Sequence, residues 1–141
     1  MKVVKKLLAP VLVVGLLLTS LVTLHNLKDT KKDNVFRIGI SQYITHKSLD
    51  ATRKGFIEEL KKEGYVDGKN IQIDFQNAQG EQRNLKNISK QLAEESDLVF
   101  AIATPSAQSL ANTTKSTPIV FSAVTDPLAA KLVKNLKEPG G

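Results

Sequence analysis

The chain contains no cysteine, which excludes a disulfide framework, a thiolate metal site and a lipid-bearing cysteine anchor. Histidine is nearly absent too. His25 and His46 are the only two, they lie on opposite sides of a polar linker, and no His/Asp/Glu cluster stands at metal-ligand spacing. A Gly-rich phosphate loop is missing, since Gly39 stands alone inside an alternating apolar run. The acidic pair that a phosphoryl-accepting α/β sheet carries after its first strand is replaced by Ser41-Gln42. There are no internal repeats and no low-complexity segments. With His46 as the single candidate base and no thiol nucleophile, acid–base and covalent catalysis lack their parts. The expectation is a protein that is not an enzyme and uses no cofactor or metal.

Charge excludes a further class. The chain holds 20 basic and 14 acidic residues. Six of the lysines and one acid, Asp29, lie within residues 1–32, leaving 14 basic and 13 acidic residues from Asp33 onward. A nucleic-acid binder carries its basic stripe on the folded part, and this domain is almost neutral. Nucleic acid is therefore not an expected partner.

The basic excess flanks an uncharged stretch, Leu7 to Leu24. As a helix it would span about 27 Å at about 1.5 Å per residue, close to the ~30 Å of a bilayer core. No Ala-x-Ala cleavage pattern precedes Lys28, so residues 1–27 are read as an uncleaved signal anchor, a transmembrane helix, rather than a cleaved leader. Residues 28–34 form a linker. Lysines flank both ends of the span and leave its orientation undecided; large domains translocate largely regardless of charge, and the domain is expected on the extracytoplasmic side of the cell membrane. Val35 to Gly141 is enough chain for one core and too short for two.

Within that domain the periodicity is regular. Phe36, Ile38 and Ile40 alternate with Arg37 and Gly39 as a first strand. Leu49, Phe56, Ile57 and Leu60 form one stripe of a helix, and Gly64 suits its left-handed end. Asp67-Gly68 marks a turn. Ile71 to Gln76 alternates as an edge strand, and Leu85, Ile88 and Leu92 define a second helix from about Glu81. Asn77 and Gln79-Gly80 between them read as a turn and cap. Leu98 to Ile102 and Ile119 to Phe121 are continuous apolar runs, the pattern of strands buried on both faces. Helices are expected to start near Pro105 and Pro127, the latter carrying Leu128, Leu132 and Leu136. Strand and helix thus alternate, and right-handed crossovers give an α/β, doubly wound parallel sheet of strand order 2-1-3-4.

In such a sheet the strand ends open on one side. That places Ser41, Gln42, Tyr43, His46, Thr104, Pro105, Ser106, Ser122, Ala123, Thr125 and Asp126 around one mouth, rich in hydroxyls and amides. The residues favour binding over chemistry.

These residues also resemble a known family. Arg37-Ile-Gly-Ile-Ser-Gln42, His46 with Leu49-Asp-Ala-Thr-Arg-Lys-Gly-Phe56, Leu60 through Gly64-Tyr65, Ala103-Thr-Pro-Ser-Ala-Gln108 and Thr117-Pro-Ile-Val-Phe-Ser-Ala-Val-Thr-Asp-Pro127 are similar to segments of ABC transporter substrate-binding proteins of the tryptophan and tyrosine type. The resemblance covers about residues 35–141. It implies a type I periplasmic-binding-protein fold, a small solute such as tryptophan or tyrosine, and ABC permease subunits as partners. It also leads one to expect an asparagine-threonine-glycine segment and a second lobe after Glu138-Pro-Gly-Gly141, so residues 35–141 are read as an incomplete first lobe. The alternative is an inactive remnant, or a membrane-tethered sensor or interaction domain without a transport role.

Each mouth residue has two readings. The helix start at Pro105, with Thr104 and Ser106, suits a ligand carboxylate, and Thr104 equally suits a helix cap. Asp126 suits a ligand ammonium or a cap for its own backbone. Tyr43 suits stacking on an aromatic solute or plain packing, and His46 suits a ligand hydrogen bond or a cap. Ser122, Ala123 and Thr125 offer further hydrogen bonds or form an ordinary loop.

Overall fold

The computed structural model of the chain describes residues 35–139. The signal anchor expected at 1–27 and the linker at 28–34 lie outside the described residues. Strand β1 (Phe36–Gln42) leads to helix α1 (Lys47–Lys62), then β2 (Ile71–Asn77), α2 (Gln82–Glu95), β3 (Leu98–Ile102), α3 (Thr104–Thr113) and β4 (Ile119–Ser122). The four strands are all parallel in the order β2-β1-β3-β4, as the crossover argument expected. Among the described residues no helix is long and apolar enough to cross a membrane.

Strand alternation divides the core in two. Ile38, Ile40, Ile71, Phe100 and Ile102 form one cluster, covered by Leu49, Phe56, Ile57 and Leu60 of α1. Phe56 stacks on Phe100 with ring centroids 4.1 Å apart. On the opposite face Val99 and Ala101 pack with Leu85, Ile88 and Leu92 of α2 and Ala107 and Leu110 of α3. Gly39 belongs to this second face, where a Cβ would lie 2.6 Å from Ser96 Oγ and 3.1 Å from Leu92 Cδ2. Its missing side chain lets the end of α2 approach the sheet.

Helix ends follow local chemistry. α1 starts at His46, whose ring nitrogen accepts from Ser48 N at 3.3 Å, and it ends before Gly64 at φ 90°, the left-handed conformation glycine adopts without strain. Asp67-Gly68 makes the expected turn and also shields the sheet edge. Asp67 Oδ1 accepts from Ile73 N at 2.8 Å, and Gly68 N donates to Ile71 O at 3.0 Å, occupying outward backbone groups of β2. Further along that strand Arg53 stacks over Phe75, 4.0 Å from the ring centroid.

Two expectations are corrected. The helix expected at Pro127 is a turn. Asp126 Oδ1 accepts from Leu128 N at 3.0 Å and Ala129 N at 2.9 Å, so the start signal operates. Lys131 at φ 57° then ends the segment, and a single turn does not repay the cost of helix nucleation. Leu132 packs on the core while Leu128 and Leu136 stay exposed. The second correction concerns β4, expected to be buried on both faces. Among the described residues it is the sheet edge, with Ile119 and Phe121 against the α2/α3 core and Val120 45% exposed.

Candidate functional site

The register brings Asn77, Gln42, Ile102 and Ser122 abreast at the carboxyl ends of the four strands. The chain leaves the sheet there at Ala78, Tyr43, Ala103 and Ala123, so the expected mouth exists as a line of backbone departures. The side chains do not all converge on it. Gln42 and Ser122 lie in register with Ile102 on the α1 face, whereas Ser41 lies in register with Ala101 and Phe121 on the opposite face. Ser41 and Ser106 are fully buried, and neither hydroxyl has a hydrogen-bond partner. In this arrangement they belong to the wall behind the mouth.

Gln42 is buried as well. Its Nε2 donates to Asp50 Oδ1 at 2.8 Å and to Ile44 O at 2.9 Å. A carboxyl oxygen and a backbone carbonyl are the acceptors, so the amide is oriented with nitrogen toward them. Asp50 also lies 3.7 Å from Arg53. The residue therefore braces the end of β1 against the following loop and the first turn of α1. Tyr43 donates its hydroxyl to Gly80 O at 2.9 Å and packs against the core, so its ring is committed to the contact between the loops that follow β1 and β2. His46 and Asp126 both serve as caps, as one of their two readings anticipated. Asn77 and Gln79-Gly80 form the expected turn, with Asn77 Oδ1 accepting from Gln79 N at 2.8 Å.

α3, like α2, starts without a side-chain cap. Thr104 was read as a possible cap, yet the cap position falls to Ala103, which has no side chain able to accept a hydrogen bond. Thr104 is already the first helical residue, because the chain turns at Ala103 with φ 79° and ψ 155°. Ala103 N donates to Ser122 O at 3.0 Å, joining the ends of β3 and β4. Pro105 has no N–H. The N–H groups of Thr104 and Ser106 meet no acceptor among the described residues, and they point along the positive end of the α3 dipole. Beside them Ala123, at φ 57°, and Thr125 are exposed. Of the two residues Thr104 is partly exposed and Ser106 is fully buried.

Sequence reasoning missed two participants. Nothing in an alanine announces a positive φ, so Ala103 gave no signal. Asp50 was hidden because its partner lies eight residues away, in a different element. A polar groove of about 190 Å³ lined by Arg37, Gln72, Asp74, Glu95 and Ser96 lies away from the mouth. Among the described residues no three His, Cys, Asp or Glu side chains gather to hold a metal.

The fold is shared with known proteins. The family described as ABC transporter substrate binding protein matches residues 37–141. A tyrosine-binding protein of Clostridioides difficile (strain R20291) is 53% identical over 114 residues, which cover 80% of this chain and 32% of that protein. A ligand-free, open substrate-binding protein with adhesive properties from Clostridium difficile superposes with a TM-score of 0.73 at 52% identity, covering 75% of this chain and 36% of the other. A domain from Streptococcus pneumoniae solved with L-Trp gives a TM-score of 0.73 at 47% identity, covering 77% and 37%. The chain thus spans about a third of the length of these relatives.

Proposed function

The chain belongs to the ABC transporter substrate binding protein family, and from that premise we propose that residues 35–141 form one wall of a solute cleft, with the first turn of α3 as the anchor for a solute carboxylate. Members of this family are binding proteins and not enzymes. The observation that carries the reading is the unpartnered N–H of the partly exposed Thr104, placed where β1, β3 and β4 end. Helix amino termini favour anions through such groups and the aligned peptide dipoles. Ser122, Ala123 and Thr125 border the same turn. Gln42, Tyr43 and His46 shape its other side through their internal hydrogen bonds, with Gln42 Oε1 left buried and unpartnered.

An aromatic amino acid is the proposed solute, supported by the relatives named for tyrosine and solved with L-Trp. The proposed role is delivery to the permease subunits of an ABC importer from the extracytoplasmic side, with Leu7 to Leu24 as the membrane tether. Small-molecule sites enclose about 70–90% of their ligand, and one wall encloses much less. Measured on these 141 residues alone, the affinity is therefore low, in the millimolar range.

The test is a titration of the ¹⁵N-labelled 141-residue chain, in detergent micelles, with L-tryptophan. The largest amide shifts are expected at Thr104, Ser106 and Ala123. Shifts confined to other surfaces, or none at saturating solute, overturn the assignment of this turn.

A further inference from the structure

We infer that Ile44 is a specificity-determining residue, the contact for the apolar side chain of the solute; the inference rests on the reading of the mouth as an amino-acid site. The sheet order reverses direction beside β1, since the chain leaves β1 toward β2 on one side and leaves β3 toward β4 on the other. In open parallel sheets the ligand crevice lies at such a reversal, outside the carboxyl ends of the two diverging strands. Gln42 and Ile102 stand in register there. The loop after β1 and the first turn of α3 therefore flank the crevice, with Ile44 and Thr104 each two residues beyond that pair. One flank carries the proposed carboxylate anchor, and the other carries an isoleucine that is 41% exposed.

A single exposed isoleucine is ordinary on a protein surface; this one is held in place. Its carbonyl accepts from Gln42 Nε2 at 2.9 Å. Both of its chain neighbours are tied to the loop after β2 or to the last residue of that strand. Gly80 N donates to Tyr43 O at 2.8 Å, the Tyr43 hydroxyl donates to Gly80 O at 2.9 Å, and Asn77 Nδ2 donates to Thr45 Oγ1 at 3.0 Å. Gly80 also lies against the side chain, close enough that a Cβ there would stand 3.4 Å from Ile44 Cδ1. A β-branched side chain is stiff at χ1, and the loop that carries it is already ordered, so an apolar group meets Ile44 at little further cost in entropy. The side chains of Tyr43, Thr45 and His46 are engaged in hydrogen bonds within the protein, whereas the apolar surface of Ile44 is open. The pairing selects a solute with a carboxylate at one end and an apolar ring at the other, and a short side chain such as that of alanine gains nothing from it.

The test uses the full 141-residue chain in detergent micelles, ¹⁵N-labelled and with ¹³C at the isoleucine δ1 methyl groups. On titration with L-tryptophan the Ile44 methyl shifts under the ring current of the indole and shows NOEs to its protons, while the methyls of Ile57 and Ile88 in the two cores stay in place. Ile44→Ser raises the dissociation constant for L-tryptophan at least threefold and leaves the response of the Thr104 amide to L-alanine unchanged; Ile44→Val restores most of the affinity. A Thr104 amide that responds to L-tryptophan while the Ile44 methyl does not overturns the inference and leaves the anchor standing. So does an Ile44→Ser chain that binds L-tryptophan as well as the original. If the Ile44 methyl responds and the Thr104 amide does not, the contact stands and the anchor of the previous section fails. Silence of both at saturating L-tryptophan overturns both.

Discussion

Gln42 Nε2 donates to Asp50 Oδ1 across 2.8 Å, binding the last residue of β1 to the first turn of α1. The bond is partly buried, and Ile44 O at 2.9 Å holds the other amide proton. Asp50→Ala leaves an amide donor enclosed without its charged acceptor, a loss of about 1–3 kcal/mol. Urea unfolding gives the magnitude. Asp50→Asn, which keeps an accepting oxygen, retains most of the stability, and equal losses in the two variants would show that the hydrogen bond is not the cause.

Gly39→Ala tests the close approach of α2 to the sheet. The added Cβ would meet Ser96 Oγ at 2.6 Å and two atoms of Leu92 at 3.1 and 3.2 Å. Overpacking of this kind destabilises by about 1–3 kcal/mol. Ser96→Gly removes the nearest of these atoms and recovers part of the loss. The two substitutions are therefore expected to be non-additive in a double-mutant cycle.

Asp67→Ala exposes the outer edge of β2 by removing the acceptor for Ile73 N. The bond lies at the surface, so the stability change is modest, about 1 kcal/mol. The larger effect concerns association, because an open parallel edge is a template for another strand. Sedimentation at rising protein concentration should show self-association of the variant beyond that of the original chain.

Asp126→Ala removes both side-chain bonds that start the turn at Pro127. Since the turn ends at Lys131 and Leu128 is exposed, global stability changes little. Amide exchange at Leu128 and Ala129 accelerates instead, by up to about tenfold for a local loss near 1.4 kcal/mol. Unchanged exchange at both amides would contradict the capping role.

Leu110→Ala probes the α3 contact with the core. Leu110 is fully buried among Leu85, Val99 and Ala107, so truncation removes packing as well as transfer energy and costs about 2–5 kcal/mol. A loss below about 1 kcal/mol in thermal or urea unfolding would mean that α3 is loosely held, and a rigid donor turn at Thr104 would be difficult to sustain.

The sequence by itself determined the sheet and its order. Alternation in Phe36–Ile40 and Ile71–Phe75, the unbroken run Leu98–Ile102 and the 3.6-residue stripes of the first two helices are local records of burial, and parallel crossovers leave few ways to connect them. It also located the mouth, because parallel strands end on one side, and it located the caps at His46 and Asp126, whose partners are two or three residues away. Only the tertiary structure decided which face of the sheet each mouth residue takes. The one-residue step from Ser41 to Gln42 sends neighbouring polar groups to opposite cores, a matter of register against β3 that no local pattern carries. The same holds for Ala103, whose positive φ is imposed by a hydrogen bond to Ser122, nineteen residues later. Local chemistry specifies elements because it acts over a few residues; the conformation of a strand end is set by the strand beside it.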